Sequence, residues 1–195
     1  MNKLVILITG TPCVGKTTVA KQLTKRLEAT YINLTELAET QHLTLRKDAQ
    51  RNTTVVDEKM MLRKMRQTID TADKDTIVVD GHFASAVVPK KYVTRVFVLR
   101  RNPVELRKFM EKCGFKDAKL WENLASEILD VCLVETLEGQ EKDRVCELDI
   151  TGKTVEEVVV EICTAIDENK KCRVGCVDWL GVLEREGLTD EYLKT

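Results

Sequence analysis

Gly10, Gly15, Lys16 and Thr17 stand at a spacing that does chemistry. The run Gly10-Thr-Pro-Cys-Val-Gly15-Lys16-Thr17 is a full match to G-x-x-x-x-G-K-[ST]. A loop of this kind turns successive backbone N–H groups inward and makes a concave nest for a phosphate. The positive end of the following helix points at the same anion. Gly10 and Gly15 let the backbone approach closely and take φ > 0. In a nucleoside triphosphate complex Lys16 would bridge the β- and γ-phosphates, and the Thr17 hydroxyl would hold Mg²⁺.

Asp80 is the second candidate. It ends the run Asp75-Thr-Ile-Val-Val-Asp80, so a carboxylate sits at the C-terminal edge of an apolar strand, where open α/β sheets bind ligands. There it can reach Mg²⁺ beside the loop. His82 follows two residues later and could orient a water or touch the γ-phosphate. Arg100-Arg101 closes another strand at the same edge, and one of the two is expected to meet phosphate charge. Cys13, at a helix N-terminus beside Lys16, is expected to have a lowered thiol pKa and ready alkylation that ATP blocks.

The flanking elements make a mechanism of the motif. Leu4-Val-Ile-Leu-Ile8 reads as a strand buried on both faces, and Thr17 to Leu27 as a helix with Val19, Ala20, Leu23 and Leu27 on one side. Further strands are expected at Ala29–Asn33, Asp75–Asp80, Val93–Leu99 and Arg144–Ile150. Helices are expected at Thr35–His42, Asp57–Thr71, Pro103–Cys113, Asp117–Leu137 and Val155–Asp167. Pro103 suits a first helical turn and Gly114 a helix stop. Five strands alternating with helices predict an α/β fold, a parallel sheet with helices on both faces. Residues 1–167 are expected to form that domain, and 168–195 a helical tail that docks on it or on a partner. Leu43 to Thr54 reads as a polar, irregular stretch, either a solvated loop or a flap over an acceptor phosphate using Arg46 and Arg51. The basic set Arg107, Lys108, Lys112, Lys116 and Lys119 is either a solvated face or a lid over phosphates.

Thirty-one Lys and Arg against 32 Asp and Glu leave a net charge of −1, which argues against a general polyanion-binding role. Seven scattered cysteines read as reduced thiols in a cytoplasm. Cys172 and Cys176 lack the further ligands that a zinc site needs. The first strand begins almost at Met1, so no targeting peptide is expected ahead of it. No apolar stretch approaches the roughly 18 residues of a membrane span. A monomer is the favoured state.

With these residues in view, the chain resembles the small-molecule P-loop kinases. More closely, it resembles the archaeal and nuclear adenylate kinase family, whose members act as adenylate kinase and ATPase and assist small-ribosomal-subunit maturation. The shared features are Gly10-Thr-Pro with Gly15-Lys-Thr-Thr18, Tyr31-Ile-Asn33, Val56-Asp-Glu58, Asp80-x-His82, Val96 to Arg100, Gly114-Phe115, Lys119-Leu120 and Asn123. The likeness spans roughly residues 3 to 166, and Asp80-x-His82 is its discriminating element. It implies that Cys13, Gly15, Lys16, Thr17 and Thr18 bind the phosphates of ATP. Asp80 falls at the Walker B position and His82 at the family's functional histidine. Residues 33–56 would bind the acceptor AMP and 112–122 would form the lid, which includes Cys113. Gly152 and Lys153 would lie against the adenine base, and Arg100 joins the nucleotide-binding set. The implied partners are a small-subunit ribosomal protein and pre-rRNA.

Two departures stand out. The family places arginines on the lid helix where this chain has Phe109 and Cys113, and a glycine in the loop where it has Cys13. Losing lid arginines is expected to weaken phosphoryl transfer unless Arg100, Arg101, Arg107 or Lys112 substitutes. Three activities stay open: an AMP kinase, an assembly ATPase in which His82 orients the attacking water, and a kinase for another small acceptor.

Overall fold

A computed structural model describes residues 3–48, 53–168 and 171–193. Among these residues, seven strands and ten α-helices follow the chain in the order β1 (Leu4–Gly10), α1 (Lys16–Arg26), β2 (Thr30–Asn33), α2 (Leu34–Thr40), β3 (Thr44–Asp48), β4 (Thr53–Val56), α3 (Glu58–Thr71), β5 (Thr76–Asp80), α4 (Ala84–Val87), β6 (Arg95–Arg100), α5 (Pro103–Lys112), α6 (Asp117–Ile128), α7 (Val131–Gly139), β7 (Val145–Asp149), α8 (Val155–Asp167), α9 (Trp179–Glu186) and α10 (Thr189–Tyr192). Five strands form one sheet in the order β2-β5-β1-β6-β7, with every neighbouring pair parallel. This is the expected α/β fold.

Strand periodicity divides the core into two layers. Ile6, Ile8, Phe97 and Leu99 face the layer that includes Leu23, Leu106, Leu124 and Ile162. Val5, Leu7, Val96 and Val98 face the opposite layer, with Met61, Met65 and Ile69 of α3. Met61 and Met65 fill this layer, while Met60 of the same helix is exposed. Local chemistry sets the helix starts. Asn33, Asp57, Asn102 and Asp178 each accept a backbone N–H at a helix N-terminus, and Thr154 with Glu157 makes a reciprocal capping box.

Three expectations are corrected. The stretch read as irregular is an antiparallel pair, β3 with β4, in which Lys47 faces Thr54 and Asp48 faces Thr53. Its strands are polar and carry no apolar alternation, the signal by which strands are recognised. Arg51 and the side chain of Arg46 lie outside the described residues. The helix expected over Asp117–Leu137 is two helices, broken at Asp130, which takes a left-handed φ of 59°. Arg100 holds the break from below: its Nη2 donates to the Glu127 carbonyl, freed at the end of α6, and to the Asp130 carboxylate. Not every cysteine is a free thiol: Cys146 and Cys172 form a disulfide, with Cα atoms 4.5 Å apart. The tail segment there runs beside β7, whose Glu147 N–H donates to the Arg173 carbonyl.

The tail lies on the domain. Trp179, Leu183 and Tyr192 are buried in the same layer as Leu120 and Leu124 of α6. Among the described residues no helix is long and apolar enough to cross a membrane.

Candidate active site

The phosphate loop joins β1 to α1 through three left-handed residues, Gly10 (φ 136°), Cys13 (φ 63°) and Gly15 (φ 117°). Gly10 is irreplaceable, because a Cβ there would collide with the Leu99 carbonyl on the neighbouring strand. The curl closes on Lys16, whose Nζ donates to the carbonyls of Gly10 and Thr11 at 2.8 Å each. Burial pushes the Lys16 ammonium below its usual pKa, while nearby acidic groups, Asp80 among them, oppose the shift.

Register delivers the carboxylate. Ile8 of β1 and Asn33 of β2 both pair with Asp80 of β5, so three strand ends meet at one level. Asp80 is 2% exposed. Its Oδ2 accepts from the Thr17 hydroxyl at 2.7 Å, the Tyr31 hydroxyl at 2.9 Å and Asn33 Nδ2 at 3.0 Å. The Tyr31 phenol is pushed up to about 12, first by burial and then by Asp80. A carboxylate and a hydroxyl in contact are hard oxygen donors of the kind Mg²⁺ takes.

Two cavities open from this point. The first, of about 770 Å³, is lined by Cys13 to Val19, Arg101, Glu105, Phe109, Cys113, Ile150 and Gly152 to Val155, with Val158 at its back. The second, of about 500 Å³, is lined by Lys16, Thr17, Asn33, Thr35, Asp80, His82, Phe115, Lys119 and Asn123, among others. Lys16 and Thr17 belong to both. His82 lines the second cavity with an open face to solvent. The protein around the ring, then the Lys16 charge, push its pKa down to about 4 against the pull of Asp80. The imidazole is therefore neutral at neutral pH.

Of the sequence candidates, Gly10, Cys13, Gly15, Lys16, Thr17, Thr18, Asp80, His82, Cys113, Gly152 and Lys153 gather around these two cavities. Lys153 turns its ammonium to Glu161 at 2.7 Å. Arg100 is elsewhere. It is 1% exposed, and its guanidinium is spent on Glu127, Glu147 and Asp130, which leaves it no role on phosphate. Its neighbour Arg101 lines the first cavity, with Nε on the Val14 carbonyl at 3.2 Å and the guanidinium 4.6 Å from the centre of the Phe109 ring. Arg107 is engaged away from the cavities, with Glu111 and Glu191 and over the rings of Trp121 and Tyr192. Lys112 lies near the Phe109 ring on the exposed side. The lowered pKa expected for Cys13 is also corrected. Burial, then a hydrogen bond with Cys113, push that thiol up to about 12, and Lys16 offsets them only in part.

Sequence reasoning missed Glu127. This carboxylate is 1% exposed. Its Oε1 accepts from Arg100 Nε, the Arg101 N–H and Trp179 Nε1, and its Oε2 from the Thr11 hydroxyl of the phosphate loop. The available signal was an acidic residue on the apolar stripe of Leu120, Leu124 and Ile128.

A parallel sheet with this loop at the C-terminal end of its central strand, an aspartate on the adjacent strand and two cavities sharing a lysine defines a P-loop kinase. Comparison with known proteins agrees. Residues 6–130 match the family model described as AAA domain. A protein of Methanocaldococcus jannaschii named "Putative adenylate kinase" is 41% identical over 89% of this chain and 92% of its own. One of the same name from Thermococcus onnurineus is 38% identical over 90% and 91%. The shikimate kinase of Acinetobacter baumannii shares the fold, with a TM-score of 0.61 at 13% identity over 86% of this chain and 95% of that one. The chain belongs to the AAA domain family and, within it, to the nucleotide kinases represented by these archaeal relatives.

Proposed function

We propose that this protein is an adenylate kinase that transfers the γ-phosphoryl group of MgATP to AMP and also hydrolyses ATP slowly. The observation that carries the reading is the sharing of Lys16 and Thr17 between two cavities. Phosphoryl transfer needs donor and acceptor held on opposite sides of the moving group, in line, with charge compensation between them. In the first cavity the phosphates of ATP would lie in the loop, beside Thr18, with the base between Phe109 and the Gly152–Lys153 turn. In the second, AMP would lie among Asn33, Phe115, Lys119 and Asn123.

Thr17 and Asp80 would hold Mg²⁺, which when bound neutralises charge on the transferring phosphate oxygens. Tyr31 and Asn33 fix the Asp80 carboxylate by hydrogen bonds. Lys16 supplies the charge shared by both substrates. Neutral His82 can accept a hydrogen bond from the attacking hydroxyl or water. Arg101 is the arginine that borders the donor cavity, and it stands in for the lid arginines replaced by Phe109 and Cys113. AMP as acceptor is supported by the name carried by the archaeal relatives. The link to small-subunit maturation, through a small-subunit ribosomal protein and pre-rRNA, is supported by Asp80-x-His82 and its family resemblance.

One observation favours a second reading, an ATPase switch with little kinase activity. Arg107 is paired with Glu111 and Glu191, and neither it nor Lys112 lines either cavity, so neither takes the place of a lid arginine at the donor phosphates. Incubation with MgATP, with and without AMP, decides between the two when ATP, ADP and AMP are followed by chromatography. AMP consumption with two ADP formed per event is the expected result. Slow ADP formation with AMP untouched establishes the switch. No turnover without another acceptor overturns both.

A further inference from the structure

Two departures from the family pattern, far apart in sequence, meet in space. Cys13 sits in the phosphate loop, and Cys113 closes the C-terminal end of α5, the lid helix. Both line the donor cavity, and the neighbouring Cys113 thiol helps to push the Cys13 thiol up. The remaining cysteines are placed differently. Cys146 and Cys172 are already joined, Cys132 lines the second cavity and meets the Thr11 hydroxyl, Cys176 bonds to Glu147, and Cys163 belongs to α8. Among the described residues, the free thiols that border the donor cavity are therefore Cys13 and Cys113.

We propose that Cys13 and Cys113 form an oxidisable dithiol, and that hydrogen peroxide converts it to a disulfide that ties the phosphate loop to the lid helix and shuts out MgATP. The proposal rests on the reading of this cavity as the site of ATP. Cys113 is the exposed sulfur and the one a peroxide reaches first. Its thiolate attacks one peroxide oxygen, the O–O bond breaks, and the departing hydroxide takes up the thiol proton as water, leaving a sulfenic acid. The Cys13 sulfur then attacks that sulfur. The S–S bond forms, the S–O bond breaks, and the leaving hydroxide departs as a second water with the Cys13 proton. Two thiols have given up two electrons and two protons, and one peroxide has become two waters.

The consequence is mechanical. The loop must wrap the phosphates while the lid opens and closes over the donor. A covalent bond between them fixes the mouth of the cavity, and its reduction by a thiol releases it. Bound MgATP would sit between oxidant and dithiol and should protect the pair.

The test treats the full-length protein with hydrogen peroxide, with and without MgATP. MgATP binding is measured by equilibrium dialysis before treatment, after it, and after dithiothreitol. Non-reduced digests are mapped in parallel by mass spectrometry. We expect a peptide pair linked through Cys13 and Cys113, binding weakened at least about tenfold, recovery with dithiothreitol, and less cross-link when MgATP is present. A C113S chain, compared with its own untreated form, should show no change on oxidation. Oxidation of other cysteines without the Cys13–Cys113 link overturns the proposal, and so does the link with unaltered binding. An untreated protein that does not bind MgATP would instead overturn the nucleotide-site reading, while the linked peptide still reports on the dithiol.

Discussion

Replacing Glu127 tests whether the buried carboxylate holds the site together by its geometry or by its charge alone. In Glu127→Gln the amide oxygen can take the place of Oε1 and keep all three of its donors, Arg100 Nε, the Arg101 N–H and Trp179 Nε1. The amide nitrogen then faces the Thr11 hydroxyl, which can accept instead of donate and turn its proton toward Cys132. Only the charge is lost. A hydrogen bond to a charged group contributes about 1.5–3 kcal/mol and a neutral one about 0.5–1.5, so each of the three bonds from the neutral donors weakens by about 1 kcal/mol at most, and the cost should stay below about 3 kcal/mol. In Glu127→Ala all four donors lose their acceptor, and one side of the Arg100 guanidinium is buried unpaired. Removing one partner of a buried pair costs about 3–5 kcal/mol, a large share of the ~5–15 kcal/mol that holds a domain folded. Urea unfolding followed by circular dichroism measures both. At a slope of about 2 kcal/mol per molar urea, the alanine variant should lose ~1.5–2.5 M of midpoint. An alanine variant within about 1 kcal/mol of the parent, or a glutamine variant as unstable as the alanine one, would refute the reasoning.

Other outcomes follow from the same geometry. Lys16→Ala should lower turnover at least ~10²-fold by removing the charge common to both cavities; a smaller loss in single-turnover assays would place the transferring group elsewhere. Arg101→Lys keeps the charge but loses the Nε hydrogen bond to the Val14 carbonyl and the contact with Phe109, so kcat for AMP phosphorylation should drop while the circular dichroism spectrum stays unchanged. Trp179→Phe should cost about 1–2 kcal/mol through the lost N–H on Glu127, measured by the same urea unfolding. In the metal-free protein, the His82 C2 proton should titrate by NMR with a midpoint near 4, well below the unperturbed 6.5. The unfolded chain then binds the extra proton first, so the His82 contribution to stability is complete above pH 6.5 and declines as pH falls toward 4; a midpoint at or above 6.5 contradicts the electrostatic account.

The fold and the phosphate loop were legible because their signals are local. A β-branched run, two glycines and an amphipathic stripe all lie within the first 27 residues, and Pro103 and Gly114 bound α5 where their backbone limits require. What could not be read is what depends on partners far away in the chain. Arg100 and Arg101 are adjacent and chemically identical. Strand alternation turns one into the network beneath the loop and the other into the donor cavity, and no local pattern says which. The break at Asp130 is held by Arg100, thirty positions earlier. The Cys13 thiol looked activated because helix end and lysine are near in sequence, whereas burial and Cys113 come from the tertiary structure. The β3–β4 pair escaped because its strands carry little apolar alternation.

The position of β1 in the centre of the sheet sets a timetable for synthesis. Its two neighbours in the sheet are strands at 76–80 and 95–100, and the Glu127 that anchors Thr11 lies 116 residues downstream. The residues that emerge first must therefore wait for neighbours made much later. At about 5–20 residues per second, the loop waits ~6–25 s for Glu127. The apolar strand has no sheet partner until β5 and β6 clear the ribosome, so a nascent chain halted near residue 110 should remain open to protease at β1, while one halted after the α6 region has cleared the ribosome should begin to resist.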